Sequence, residues 1–206
     1  MSESADANHS AEAAAARAAS EMRHRAANIF QLLAALARMR SQKAADPELK
    51  RQLAWMADAI GSLGALERHR QAEGVDFAGY LAEMAPVWRR RHGLNAAEVA
   101  LEAESFLLGD NAAAAVAVIA QELVGNCLAH AFPDRPGRVV VHLARAGEGR
   151  CQLTVTDDGC GFDPGSEEGR DGFGLWLVRS LASQARGEFE LATSPGGTVG
   201  RLVFAI

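Results

Sequence analysis

The chain has 206 residues, 49% of them hydrophobic and 23% charged, a globular composition long enough for one large domain or two small ones. Its net charge of −5, without a long Lys/Arg block, offers no electrostatic footprint for nucleic acid, and the densest basic run, at 89–91, reads as a solvated helix end. The sequence reads as free of a leader and of an apolar run of membrane-spanning length, and Cys127, Cys151 and Cys160 are scattered and odd in number. Together these predict a reduced, cytoplasmic setting, no membrane partner and ordinary packing roles for the cysteines.

Residues 1–10 are small and polar, which predicts a disordered N-terminus, and the alanine-rich stretch 11–19 begins a helix. From Met22 the apolar positions Met22, Ile29, Leu32, Leu33, Leu36 and Met39 mark one helical face. Asp46 and Pro47 make a turn, with Pro47 at the first position of a second helix whose stripe is Leu49, Leu53, Met56, Ile60 and Leu63. Two such stripes predict an antiparallel all-α hairpin over 11–73. Alone they bury little, so the hairpin is expected to pair with a second copy as a dimeric four-helix bundle.

Glu73 and Gly74 break the second helix, so a second domain is expected over 74–206. A helix follows over 77–91, then a half-buried strand at 98–104 with Val99, Leu101 and Ala103 alternating. The most apolar helix starts at a cap expected at Asp110 and Asn111 and stops before Pro133. Strands at 138–144 and 151–156 form a hairpin, a helix covers 174–184, and two strands at 188–193 and 198–206 close the chain. This order predicts an α+β sandwich with its helices on one face of the sheet.

The stretch 121–132 organises this second half. Val116, Ile119, Ala120, Leu123 and Cys127 recur at helical spacing and define a buried face, whereas Glu122, Asn126 and His130 stack at i, i+4 and i+8 on another. Such a stripe can be a plain solvated face. It can also hold a hard cation, because an amide oxygen suits Mg²⁺ and a carboxylate one turn earlier can share the metal or act as a base.

Asp157 ends a predicted strand and is followed by Gly159 and Gly161. A carboxylate there accepts hydrogen bonds, for example from an adenine amino group, although Asp-Gly alone is ordinary turn chemistry. Gly172, Phe173 and Gly174 open the next helix, where backbone N–H groups can face phosphate. The polar, glycine-rich stretch 163–171 reads as a lid, and Gly197 and Thr198 begin the last strand with a hydroxyl that can face the same pocket. The glycines fit neither the P-loop nor the dinucleotide fingerprint.

Taken together, Glu122 with Asn126, Asp157 with Gly159 and Gly161, Gly172 with Gly174, and Gly197 with Thr198 resemble the N, G1 and G2 boxes of the Bergerat (GHKL) ATPase fold. Histidine kinases, Hsp90, gyrase and MutL share that fold, and the resemblance spans roughly 95–206. It implies ATP and Mg²⁺ as cofactors, Asn126 and Glu122 at the metal, and Asp157 at the adenine amino group. It also implies nucleotide contacts from His130, Gly159, Gly161, Gly172, Phe173, Gly174 and Thr198.

Glu21, Met22, His24, Arg25 and Asn28 on the first helix resemble the phosphoacceptor signature of sensor histidine kinases related to the HWE group. A lone histidine on a charged helix is usually a surface residue, but an imidazole beside a carboxylate is also a phosphorylatable nucleophile. The resemblance implies that His24 accepts the γ-phosphoryl group, with Glu21 or Glu122 as base, and passes it to an aspartate of a response-regulator receiver domain. Val155, Thr156 and Asp157 replace the Trp-x-Glu of the HWE kinases proper, which favours their sister family. Ala129 stands where that family carries a lysine. Only about twenty residues precede His24, so input from a separate sensor protein is expected. Three other readings compete: a histidine phosphotransferase with a degenerate ATP domain, an anti-sigma-factor-type serine kinase, and a non-catalytic scaffold.

Overall fold

A computed structural model describes residues 2–91, 97–162 and 173–206, and the chain divides into two compact units, residues 1–70 and 71–206. The first is a hairpin of two helices, α1 (Ser2–Lys43) and α2 (Pro47–Arg68). Asp46 caps α2 by accepting the Glu48 N–H at 2.9 Å, with Pro47 at the start of the helix where its missing N–H costs nothing. Ser41 Oγ donates to the Lys50 carbonyl at 2.8 Å and ties the two helices at the turn. α1 takes in 2–10, where polarity predicts disorder. An alanine-rich helix already nucleated downstream extends at little cost.

The hairpin's interior differs from the expected one. Apart from Leu66 near the end of α2, its buried positions are small: Ala27, Ala34 and Ser41 on α1, and Ala57, Ser62, Gly64 and Ala65 on α2. A Cβ on Gly64 would lie 3.0 Å from Phe30 Cβ, so the helices approach closely there. The large apolar stripe faces outward instead, with Met22 69%, Ile29 58%, Leu32 61%, Leu36 46% and Met39 51% exposed. Small residues let two helices come near; the bulky ones are left for another surface.

The two-residue strand β1 (Arg70–Gln71) stands at the boundary between the units. In the second unit β2 (Gly74–Asp76) pairs antiparallel with β4 (Leu107–Leu108), and Asp76 starts α3 (Phe77–Arg91) by accepting the Gly79 N–H at 3.0 Å. The main sheet has five strands: β3 (Ala97–Ala103), β5 (Gly137–Arg145), β6 (Arg150–Asp157), β7 (Glu188–Ser194) and β8 (Gly197–Ala205). Their order is β3-β5-β6-β8-β7, antiparallel except for the β3–β5 pair, which α4 (Asp110–His130) connects.

Alternation decides which face is covered. Val139, Val141 and Leu143 of β5, Cys151, Leu153 and Val155 of β6, and Leu202 and Phe204 of β8 are buried, while their neighbours are half-buried or exposed. α3, α4 and α5 (Phe173–Gln184) pack against the sheet, as an α+β sandwich requires. α4 is the core helix: Val116, Ala117, Ile119, Ala120 and Val124 are fully buried. It is long and apolar enough to pass for a membrane span, which the sequence analysis did not expect, but 67% of that stretch is buried inside the fold. Its N-cap is Gly109 rather than the expected Asp110 and Asn111, and no side chain caps it. Two hydrogen bonds fasten α3 to α4: Trp88 Nε1 donates to Gln121 Oε1 at 2.8 Å, and Tyr80 Oη to the Ala117 carbonyl at 3.4 Å.

Candidate functional site

The register of β6 puts an acid where an apolar residue would otherwise stand. Cys151, Leu153, Val155 and Asp157 share the covered face, and Asp157 is only 4% exposed. A carboxylate so buried needs donors, and the turn supplies them. Asp157 Oδ1 accepts the Gly159 N–H at 2.9 Å and the Thr198 N–H at 3.3 Å. Thr198 therefore reaches this centre through its backbone, where the sequence suggested its hydroxyl. Cys127, on the buried face of α4, is also buried. Burial first, then the negative charge of Asp157, pushes the Cys127 thiol well above its ordinary pKa.

The turn after β6 is clamped on both sides. The Cys160 N–H donates to the Ala131 carbonyl at 3.0 Å, just beyond the end of α4. Phe162 N–H donates to Thr193 Oγ1 at 3.0 Å, and that hydroxyl returns a hydrogen bond to the Phe162 carbonyl at 3.2 Å. Gly161 has φ +63, and a Cβ there would lie 1.9 Å from the Ser194 carbonyl oxygen. Only glycine combines that backbone with that approach. Asp158 turns away from Asp157, accepting the Arg138 N–H at 2.7 Å on Oδ1, while Arg135 donates to its carbonyl.

The polar stripe of α4 is graded. Glu122 is buried at 5%, whereas Asn126 and His130 are exposed. The start of α5 lies against Glu122: a Cβ on Gly174 would be 2.5 Å from Glu122 Oε2 and 3.9 Å from Asn126 Nδ2. The structure thus gathers Glu122, Asn126 and Gly174 at one place and Asp157, Gly159 and Thr198 at another on the same unit, joined by α4. Phe173 is 60% exposed, its ring 5.7 Å from that of Trp176. Gly172 and the expected lid at 163–171 lie outside the described residues. His24 and Glu21 are exposed on α1, in the other unit.

Sequence reasoning missed two contributors: Thr193 read only as a strand residue, and Gln121 gave no sign of its bond to Trp88. No local pattern signalled either.

No group of three or more His, Cys, Asp or Glu side chains able to hold a metal occurs among the described residues. Asn126 and Glu122 nevertheless fit Mg²⁺, which takes one or two protein oxygens and leaves its other positions to water and phosphate.

Comparison with known proteins agrees with this geometry. A family described as histidine kinase-like ATPase domain matches residues 88–204. The blue-light-activated histidine kinase 2 of Erythrobacter litoralis (strain HTCC2594) is 23% identical over 193 residues, 89% of this chain and 55% of that protein. The chain therefore spans about half the length of this relative. Among solved structures, the histidine kinase domain of Erythrobacter litoralis EL346 blue-light activated histidine kinase superposes with a TM-score of 0.68 at 18% identity, covering 86% of this chain and 95% of that one. The mycobacterial sensor histidine kinase MprB gives a TM-score of 0.52 at 22% identity, over 64% and 96%.

Proposed function

This chain belongs to the histidine kinase-like ATPase domain family, and from that premise we propose that it is an ATP-dependent protein histidine kinase whose phosphoacceptor is His24. The observation that carries the reading is the buried Asp157, set by two backbone N–H groups, on the same unit as Glu122, Asn126 and the N-terminal turn of α5. An ionised carboxylate is acceptor-only, so Asp157 suits the amino group of adenine and discriminates against a purine lacking it.

Asn126 and Glu122 would hold Mg²⁺, which when bound neutralises phosphate charge as the γ-phosphoryl group departs. Gly174 and Phe173 sit at the start of a helix whose N–H groups can face phosphate. His24 presents a ring nitrogen to the γ-phosphorus; its proton leaves to Glu21 or Glu122, and ADP departs as the bond to the β-phosphate breaks. The receiver is an aspartate on a response regulator, as the resemblance of the His24 segment to kinases related to the HWE group implies. The exposed stripe of α1 supports a homodimer, because a row of large apolar side chains on a helix calls for a partner surface.

The test is incubation with Mg²⁺ and γ-labelled ATP, beside His24→Ala. Acid-labile, alkali-stable label in the parent and none in the variant is the expected result. ATP binding without label would refute the kinase reading for this chain on its own, and label surviving in His24→Ala would refute the residue. Ala129, in place of the family's lysine, gives the phosphotransferase reading its one foothold. Failure to bind ATP, with His24 accepting phosphoryl from a receiver, would establish that reading instead.

A further inference from the structure

One rung of the β7–β8 ladder holds both ends of the turn that carries Asp157. Thr193 and Thr198 are cross-strand partners in the hairpin that closes at Ser194 and Gly197. At the start of the turn the Thr198 N–H donates to Asp157 Oδ1 at 3.3 Å. At its end Thr193 Oγ1 accepts the Phe162 N–H at 3.0 Å and donates to the Phe162 carbonyl at 3.2 Å. Between these points the two backbones touch: a Cβ on Gly197 would collide with the Asp157 carbonyl, and one on Gly161 with the Ser194 carbonyl. Ser194 Oγ accepts the Gly196 N–H at 3.3 Å and so braces the hairpin's own bend.

Elsewhere the turn is fastened at its first four residues, by Thr198 at Asp157, by Arg135 at the Asp158 carbonyl and by the Ala131 carbonyl at the Cys160 N–H. Thr193 fastens Phe162 at the far end. A hydroxyl suits this place because one oxygen both accepts and donates. It gives Phe162 the pair of hydrogen bonds that a neighbouring strand would otherwise supply. The second donor to Asp157, the Gly159 N–H at 2.9 Å, belongs to the turn itself. Its direction therefore depends on the turn's being held at Phe162 as well as at Asp157.

We propose that Thr193 is a positioning residue for nucleotide-base recognition: by tying Phe162 to β7 it keeps the turn closed on the hairpin and Asp157 in the orientation that accepts the 6-amino group of a purine. This rests on the reading of Asp157 as the adenine-recognising group. Thr193 acts through the turn, and its effect therefore falls on binding and base selectivity. A turn held in place only part of the time lowers the apparent affinity by the fraction of time it is held.

The experiment is binding of Mg-ATP and of the triphosphate of unsubstituted purine riboside, which lacks the amino group, to the full chain, Thr193→Val and Thr193→Ser, by calorimetry. Thr193→Val keeps the branched shape that a strand favours and removes only the hydroxyl. Its ATP affinity should fall about two- to tenfold, the range of one net hydrogen bond. The analogue has no amino group for Asp157 to accept from, so it should bind parent and valine variant alike. Thr193→Ser, which keeps the hydroxyl, should restore the preference for ATP. Unchanged ATP affinity in Thr193→Val would overturn the proposal, as would an equal loss for both nucleotides, since that marks a general disturbance of the pocket. A serine variant as weak as the valine one would also overturn it, by showing that the hydroxyl is not what matters. A parent chain that binds both nucleotides equally would refute the adenine reading of Asp157, and one that binds neither would refute the nucleotide reading itself; the role of Thr193 falls with either.

Discussion

The two units of this chain use apolar residues in opposite ways. Residues 71–206 turn their large side chains inward: Trp88, Tyr80, Phe77, Phe204, Ile119 and Leu153 are all fully buried. In residues 1–70 the helices meet through Ala27, Ala34, Ala57 and Gly64, while Leu32, Leu36 and Ile29 stand in the open. One unit has a core of its own. The other has a narrow seam and a face of large apolar side chains left exposed. Burial is roughly proportional to apolar area removed from water, and an alanine seam removes little.

Four measurements would break or sharpen that contrast. The largest effect is expected from Leu32→Glu with Leu36→Glu: charges in the exposed stripe should convert a dimer to a monomer by sedimentation while the secondary structure of the second unit persists. A parent chain that is already monomeric at high concentration would remove the need for a partner on that face. Next, Ile119→Ala should cost the second unit about 2–5 kcal/mol, as cavity-forming substitutions do, read from the fluorescence of Trp88 in urea. A negligible shift would show that α4 is not the core helix. Ala57→Leu should cost the hairpin about 1–3 kcal/mol through overpacking of a close helix pair, read from Trp55. Tolerance there would mean that the helices are not closely seated. The smallest effect belongs to Asp46→Ala, where loss of the cap on Glu48 N–H should lower hairpin stability by about 1 kcal/mol, with the second unit's transition unmoved.

A fifth test concerns the cysteines. Burial raises the pKa of Cys127 and of Cys151 above the ordinary thiol value, reinforced at Cys127 by the charge of Asp157 and opposed at Cys151 by Arg145, and a raised pKa leaves less of the reactive thiolate at neutral pH. Alkylation of the native chain should therefore modify the exposed Cys160 and spare the other two, as mass spectrometry would show.

What the sequence made legible follows the strength of its periodic signals. Val116, Ile119, Leu123 and Cys127 recur over about three turns, so α4 and its buried face could be read in advance, and Asp157 followed from the strand and glycines around it. The hairpin's inner face was not legible. Alanine recurs almost everywhere in α1 as a helix former, so Ala27 and Ala34 carry no contrast, and the eye goes to Leu32 and Leu36 instead. β1, β2 and β4 are too short to show an alternation. Gly109 as the N-cap had to compete with Asp110, whose residue type is the commoner cap. The clamp of Thr193 on Phe162, and the bond of Trp88 to Gln121, join residues about thirty apart in the chain. Such pairings arise from topology and leave no local pattern.

The parallel pairing of β3 with β5 also sets an order in time. β3 has no partner until α4 and β5 exist, and β7 and β8 complete the sheet only at the very end of the chain. The hairpin needs neighbours close in sequence alone, and such local contacts form far faster than distant strand pairings. At a synthesis rate of roughly 5–20 residues per second, the hairpin is finished seconds before residues 71–206 have all been made. During that interval its bare leucine row is displayed on a nascent chain whose ATP-binding half does not yet exist. Chains growing side by side on one message could therefore choose their partner before either has a working sheet.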